Sequence, residues 1–379
     1  MMTRREALRV VGGGMLLAAA PGCSVWSVGD AATSPWRTVG AGAEPRLRAL
    51  SYALLAPNPH NLQSWVADVR RPGEIVLSVD TARLLPMTDP PGRQITIGQG
   101  TFLELLEQAL RAQGLAPRTV LFPEGEFGVV PDERPVARLT LARTEPDRDP
   151  LLDEVPRRHT NRSPYLPEPV AARDLAALLA TAIPAEVRAD GTLDAGLRGR
   201  IAALAAQGFE VETRTERTFR ETVKVLRVGT SEIDRHRDGL AVTGFAPWLG
   251  RKLGLLDEKG LMDPNGRGVK QALADAQRQA DTAQGWVWLS TAGNSRREQV
   301  LTGRAYVRLQ LAATRLGLAW HPMSQLLQEY PEMSALQGRL LETLGFPGGG
   351  ATAQMLARIG HAAPAGPSAR RDLSAIVRS

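Results

Sequence analysis

The chain has 379 residues, 43% of them hydrophobic and 23% charged, enough for one large domain or two ordinary ones with real cores. Its formal net charge is +6, yet only four of the basic residues are lysines (Lys224, Lys252, Lys259, Lys270), and the arginines are scattered among Asp and Glu with no basic run carrying aromatics, so a nucleic-acid partner is not expected. The single cysteine, Cys23, excludes an internal disulfide and paired-cysteine metal sites; the five histidines stand far apart, without HExxH or GxSxG, so neither a metal site nor a serine hydrolase is expected.

The first 23 residues carry a twin arginine (Arg4, Arg5), a modest apolar stretch, small residues and then Cys23. The apolar stretch is too short to span a membrane and has the layout of an export signal. TRREAL resembles a twin-arginine (Tat) signal, and AAAPGC partly resembles a lipoprotein box, with Ala20 where Leu is usual. Cys23 is either the site of lipid attachment or an incidental residue near a cleavage site. The expected location is exported, periplasmic or cell-envelope, with membrane contact only through such a lipid. Residues 24–43 read as a linker.

A helix with Leu47, Leu50, Leu54 and Leu55 at helical spacing ends at Pro57. There the sequence turns to PNPHNLQSW (57–65), whose Asn58, Asn61 and Gln63 carry amides that both donate and accept, a set suited to a flat heterocycle. EIVLSVD (74–80) reads as a strand with Ile75, Leu77 and Val79 on one face, and 83–94 as a turn-rich connection. Gly98 and Gly100 are read as preceding a helix that carries Phe102, Leu106, Ala109 and Leu110 on one side; two strands, RTVLFP and PVARLTLAR, follow. These elements make up a first half, 44–150.

A second half, 151–379, opens on RRHTNRSPY (157–165), where Arg157, Arg158, His159, Thr160 and Arg162 stand together. Guanidinium forks and a hydroxyl suit a phosphate. Helices are expected at 171–182 and 197–228, an irregular stretch and candidate lid at 229–268, a helix at 269–284, a strand at 286–291, and a long helix at 294–317. WHPMSQ (320–325) follows, then a helix with Leu336, Leu340 and Leu344, a strand at 353–360, and a basic tail with Arg358, Arg370 and Arg371. Strands mixed with more numerous helices indicate an α+β or α/β layered fold. His60 and His321 are read as structural histidines, with the alternative of ring neighbours. Amides for a ring and arginines for a phosphate together point to a mononucleotide.

Four segments carry a resemblance to a family. APNPHNLQSW resembles the PSxxNxQPW loop of the nitroreductase superfamily, RRHTNRSPY its RRSxRxF element, GLAWHPMSQ its GLGT-x-P element, and RIG with ARRDLSAIV its closing strand and basic tail. Here the loop precedes the arginine element. That order, the block LLPMTDPPGRQITIGQGTFLELL and the export signal resemble the Acg-like branch, in which one chain mimics the usual dimer through a fused and diverged duplication. The resemblance implies an α+β nitroreductase-like fold, a monomer, and FMN held by Pro57, Asn58, Asn61, Gln63, Arg158, His159, Thr160, Arg162, Pro322, Met323, Ser324, Arg370 and Arg371. It also implies hydride transfer through flavin N5 between a small-molecule donor and a small acceptor, with no catalytic side chain named; the alternative is an exported flavin-sequestering protein with little turnover. Asn58, Pro59, Ser64, Ser324 and Gln325 depart from the family pattern, which bears on turnover more than on binding.

Overall fold

In a computed structural model the described residues are 27–254, 256–263, 265–346 and 350–379; the export-signal and Cys23 readings lie outside them. The segment read as a linker contains a helix, α1 (Asp30–Arg37), with Asp30 in its first turn, Arg37 in its last, and Trp36 buried. The charges at its ends complement the helix dipole. Its anchoring is tertiary: the Ala32 amide donates to Asp234 Oδ1 at 3.0 Å, and the Arg370 amide donates to the Ala32 carbonyl at 2.8 Å.

The first half then runs α2 (Pro45–Ala53), β1 (Trp65–Asp68), β2 (Glu74–Val79), α3 (Arg93–Arg111), β3 (Leu115–Leu121) and β4 (Ala137–Arg143). Glu44 caps α2 by accepting from the Leu47 amide, with Pro45 in the first helical position. The second half contains α4 (Ala172–Leu179), β5 (Arg188–Thr192), α5 (Ala195–Arg214), α6 (Glu216–Lys224), β6 (Leu226–Val228), α7 (Gly229–His236), β7 (Leu240–Val242), α8 (Phe245–Lys252), α9 (Glu258–Leu261), α10 (Arg267–Asp281), β8 (Gly285–Thr291), α11 (Arg296–Arg315), β9 (Ala319–Pro322), α12 (Ser334–Thr343), β10 (Thr352–Gly360) and β11 (Val377–Arg378). The fold is α+β. Two expectations are corrected here. The helix read over 197–228 is broken at Thr215 and ends in a strand, and 229–268 is a set of short helices with one strand rather than irregular chain.

Two sheets form the framework. The first has the order β11-β1-β2-β4-β3 and the second β5-β8-β10-β9. Without β11, both follow one scheme: first, second, fourth, third strand, all pairs antiparallel, with the long helix (α3 or α11) between second and third. The C-terminal β11 crosses over and pairs in parallel with β1 of the first half.

Helices α3 and α11 cross at Gly100 and Gly303, each the eighth residue of its helix. A Cβ on Gly100 would run into the Val300 carbonyl, and one on Gly303 into the Ile97 carbonyl. This explains why α3 begins at Arg93, upstream of both glycines: glycine lowers helix propensity but permits the close approach of two backbones. Asp89 secures that start by accepting from the amides of Gln94 (3.1 Å) and Ile95 (2.9 Å). One apolar cluster surrounds the first sheet and two serve the second. Among the described residues no helix is long and apolar enough to cross a membrane.

Candidate functional site

The 57–65 loop is held in a tight, unusual conformation. His60, Asn61 and Gln63 all have positive φ, at 46°, 54° and 55°. Left-handed backbone at a non-glycine residue costs about 1–3 kcal/mol and persists only where the surroundings enforce it. Enforcement comes from the loop's own amides. Asn58 Oδ1 accepts from the Gln63 amide at 2.8 Å, and Asn58 Nδ2 donates to the Ala56 carbonyl at 3.2 Å. Asn61 Nδ2 donates to Ala369 at 2.9 Å, and Arg370 Nη1 donates to Asn61 Oδ1 at 2.6 Å. Gln63 Nε2 donates to the Arg237 carbonyl at 2.9 Å, and Gln63 Oε1 accepts from the Arg371 amide at 2.8 Å. The three side-chain amides are therefore engaged in shaping and anchoring the loop, not presented to a ring as their chemistry suggested. Pro57 is buried, its carbonyl accepting from Thr101 Oγ1 at 2.7 Å, and Trp65 is buried against Phe102.

The arginine elements meet this loop from the other half. Arg158 and Arg370 are each 2% exposed. Arg158 donates to Gln310 Oε1 (3.1 Å) and to the Leu55 carbonyl (3.0 Å); Arg370 donates to the carbonyls of Leu54 (3.0 Å), Leu55 (3.1 Å) and Ala56 (3.2 Å). Both guanidinium groups thus converge on Leu55. Among the described residues neither has a carboxylate partner. Burial lowers the basicity of Arg158 to about 10 and pushes that of Arg370 well down, the latter also through the charge of Arg158.

Polar atoms around this pair lack partners. Arg158 Nε, His159 Nε2 and Gln310 Nε2 are buried with no hydrogen bond. The Trp36 ring lies 5.0 Å from the Arg370 guanidinium carbon, 5.6 Å from that of Arg158, and 4.9 Å from the His159 ring. Its Nε1 donates to the Ser368 carbonyl at 2.7 Å. Burial, followed by the charge of Arg158, depresses His159 to about 4. Thr160 is half-buried beside it in sequence.

A second group gathers at Arg162. This residue is solvent-exposed, and the protein around it lowers its basicity. No hydrogen bond or ion pair engages it among the described residues. Its charge reaches His60, held at about 4 by burial and then by Arg162, and His321, held well below its ordinary value by burial, Arg162 and Arg358. Tyr306, pushed up to about 12 by burial, also feels Arg158 and Arg162 and accepts from Trp320 Nε1 at 3.1 Å. Arg358 fastens His321 to the 157–165 segment: it donates to His321 Nδ1 at 3.0 Å and to the Ser163 carbonyl at 2.8 Å, and stacks 3.8 Å from the Tyr165 ring.

The remaining expected residues divide. Pro322 ends β9 and is half-buried; the Ser324 carbonyl accepts from Gln94 Nε2 at 3.2 Å, joining this segment to the first half. The Met323 amide is committed to the Leu356 carbonyl at 2.9 Å and its side chain lies in an apolar cluster, so it offers no free donor. Arg371 lies 3.6 Å from Asp80 and donates to the Ala375 carbonyl at 2.8 Å, a counter-charged role unlike that of Arg370. Sequence reading missed Trp36 and Gln310. The signal for Trp36 was one large aromatic in a stretch of small residues; Gln310 was hidden on a core helix. The open groove on the outer face of the first sheet, lined by Val66, Arg71, Glu74 and Arg138 among others, shares no residue with this assembly.

No family model matches the chain. Over 352 residues it is 28% identical to a candidate NAD(P)H nitroreductase of Mycobacterium tuberculosis (strain CDC 1551 / Oshkosh), covering 88% of this chain and 91% of the relative; the same values hold for the counterpart in strain ATCC 25618 / H37Rv. Among solved structures, a nitroreductase with bound FMN from Desulfitobacterium hafniense DCB-2 aligns at 15% identity and a TM-score of 0.38, over 62% of this chain and all (100%) of that one. The mycobacterial similarity supports a place in the nitroreductase superfamily.

Proposed function

We propose that the protein binds one FMN per chain and acts as a nitroreductase-type oxidoreductase of the Acg-like branch. The observation that carries this reading is the buried pair Arg158 and Arg370, two cations without a carboxylate. An uncompensated buried charge costs several kcal/mol, so the pair calls for an anion. A phosphate monoester would supply that anion together with an acceptor for the unpartnered Arg158 Nε. Thr160 and His159 are the neighbouring groups able to complete the cradle. The group of Arg162, His60, His321 and Tyr306 would hold the ring end.

Bound there, FMN would supply hydride chemistry at its N5 between a small-molecule donor and a small acceptor. The chain's own part is to bind and orient. The arginine pair fixes the phosphate, the strained loop forms one wall, and Arg358 fastens His321 and the 157–165 segment. His60, His159 and His321 all stay neutral at pH 7, which leaves Arg162 as the cation of this group.

A fused duplication is supported by the shared strand order and by the reciprocal glycine crossing. The loop belongs to one half and the arginines to the other, which favours a single complete site in a monomer. Reconstitution with FMN, followed by the visible spectrum and flavin-to-protein ratio, tests this. One flavin per chain is expected; two or none overturns the reading.

Flavin holding without rapid turnover is the second reading. It is favoured by the clamp that 222–240 places on the loop: the Gly239 amide donates to Asn61, Gln63 donates to Arg237, and Arg83 pairs with Asp238 at 2.6 Å. The export signal, with Cys23 as candidate lipid site, accords with it, since NAD(P)H is scarce outside the cytoplasm. The apolar candidates of the lid are not sealed in, because Phe245 is 40% and Leu253 55% exposed. Stopped-flow mixing of the FMN-loaded protein with NADPH separates the readings. Turnover at roughly 1–10³ per second would eliminate simple holding.

A further inference from the structure

A hydrogen-bonded line leads from the protein interior to His60 in the 57–65 loop. Glu212, near the end of α5, is 4% exposed and has no basic partner among the described residues. Thr222 Oγ1 on α6 donates to Glu212 Oε1 at 2.9 Å, and Gln328 Nε2 donates to Glu212 Oε2 at 2.9 Å. Thr222 Oγ1 also lies 3.4 Å from His60 Nε2. The other ring nitrogen, His60 Nδ1, is buried and has no partner.

We infer that Glu212, Thr222 and His60 form a proton line ending at the unpartnered His60 Nδ1, which delivers a proton to a ligand that meets that atom; identifying that ligand as the acceptor of the oxidoreductase rests on the function proposed above. Two states satisfy every bond in the line. In the charged state, the Thr222 hydroxyl donates to the Glu212 carboxylate and His60 Nε2–H donates to Thr222. His60 Nδ1 is then a bare acceptor. In the neutral state, the Glu212 carboxyl donates to Thr222, the Thr222 hydroxyl donates to His60 Nε2, and Nδ1 carries the hydrogen.

Passing from the neutral to the charged state moves one proton along each link. The Nδ1 proton goes to the ligand, the Thr222 proton to Nε2, and the Glu212 proton to Oγ1. The ligand gains one proton and Glu212 is left as a carboxylate, so the charge balances. No electron moves in the line.

The surroundings favour the protonated form of this carboxyl. Burial raises Glu212 above its ordinary 4.5, opposed by the bonds from Thr222 and Gln328 and reinforced by Glu221 on α6. Tyr330 faces it through Gln328, its hydroxyl donating to Gln328 Oε1 at 2.9 Å, with Glu332 and Arg217 behind. Glu221 is itself occupied by the amides of Met87 and Thr88. Burial, followed by the charge of Arg162, holds His60 at about 4, so its ring is neutral at pH 7. Stability and pH follow from the sign: a carboxyl raised in the folded state favours the fold at low pH and loses that advantage as pH rises through its folded value.

The test is long-range ¹H–¹⁵N correlation of the histidine rings in flavin-free protein between pH 5 and pH 8, which does not depend on FMN. The wild type should exchange tautomers, with Nδ1 protonated at the acid end and Nε2 at the alkaline end. Glu212→Gln should hold the Nδ1–H form throughout, since its amide donates to Thr222 at every pH. Thr222→Val should abolish the pH-linked exchange while leaving Glu212 in place. A single tautomer at all pH values in the wild type, or exchange unchanged in both variants, would overturn the line. FMN stoichiometry is measured separately, so loss of the flavin reading and loss of the line cannot be confused.

Discussion

Among the described residues five arginines are buried, Arg93, Arg158, Arg296, Arg358 and Arg370, and two pairs of them differ in what neutralises them. Arg93 and Arg296 occupy the same position, the first residue of α3 and of α11. Arg93 lies 3.1 Å from Glu329 and donates to the carbonyls of Gln354 (3.1 Å) and Leu327; Arg296 donates to those of Pro91 (2.8 Å), Gly128 (2.7 Å) and Val129 (2.7 Å) and feels Asp89, Glu329 and Glu126. These cations brace one half against the other and are counter-charged. Arg158 and Arg370 are as deeply buried, yet only neutral oxygens and the Trp36 face approach them. Arg358, buried without an acid as well, is filled by His321, the Ser163 carbonyl and the Tyr165 ring, so what sets Arg158 and Arg370 apart is the unpartnered polar atoms beside them.

The comparison breaks most visibly at Arg93. Arg93 donates to buried carbonyls and pairs with Glu329, itself 31% exposed, so its removal forfeits hydrogen bonds of a charged group, about 1.5–3 kcal/mol. Arg93→Met should therefore lower stability by that order in chemical denaturation, and FMN should not restore it. Arg158→Met removes an uncompensated cation instead. Flavin-free Arg158→Met should lie within about 1–2 kcal/mol of the wild type, the residual loss coming from Gln310 Oε1 left without its donor. A loss as large as that of Arg93→Met would mean that Arg158 is structural too.

The ligand side gives the next effect. A charge-assisted hydrogen bond contributes about 1.5–3 kcal/mol, so Arg158→Met should weaken FMN binding by roughly tenfold or more in fluorescence titration. Riboflavin, which lacks the phosphate, should bind the variant and the wild type alike. Equal losses for both ligands would remove the phosphate from this site.

Much of this site was legible in the sequence, and the reasons for the rest are physical. Residue types named the segments: Arg370 meets the 57–65 loop at Asn61, and Arg158 and Arg370 both reach the Leu55 carbonyl just before it. What they do there depends on partners that spacing cannot supply. Amides that can serve a ring serve the loop instead, because three left-handed residues need enforcement. Arg370 and Arg371 are neighbours in sequence, but only Arg371 lies beside Asp80. Helix α1 has too few large residues to show a period, and its burial comes from α7 and the tail, more than 190 residues away. Of the two glycines of α3 that looked like a break, Gly98 packs against Pro59 and Gly100 meets Gly303, a residue equally distant in the chain.

The uncompensated charge also reaches the histidines, which sharpens the comparison through pH. His60 and His159 fall to about 4 in the folded protein and His321 falls well below its ordinary 6.5. Depressed folded values mean that the unfolded chain binds protons first as pH falls. The stability they contribute is full above pH 6.5 and is lost progressively toward pH 4. One histidine titrating only in the unfolded state removes at most about 1.4 kcal/mol per pH unit. Thermal melts should therefore drop across this window, and His159→Gln should flatten the slope. A flat wild-type profile between pH 6.5 and 4 would show that these rings are not held neutral.

The smallest effect tests what stands in for the missing carboxylate. An aromatic ring carries partial negative charge on its face, so Trp36 over Arg370 and Arg158 is a weak counter-charge. Such contacts contribute about 0.5–2 kcal/mol, and the Nε1 bond to Ser368 about 0.5–1.5 kcal/mol. Trp36→Phe keeps a ring face and loses the donor; Trp36→Leu loses both. If the ring face matters, the flavin-free Leu variant should be less stable than the Phe variant, by about 1 kcal/mol. Saturating FMN should narrow that gap, because a bound phosphate supplies full negative charge where the ring supplied part of one. A gap that stays the same with and without FMN would make Trp36 ordinary packing for α1, and Arg158 and Arg370 would have no partner of either kind in the flavin-free protein.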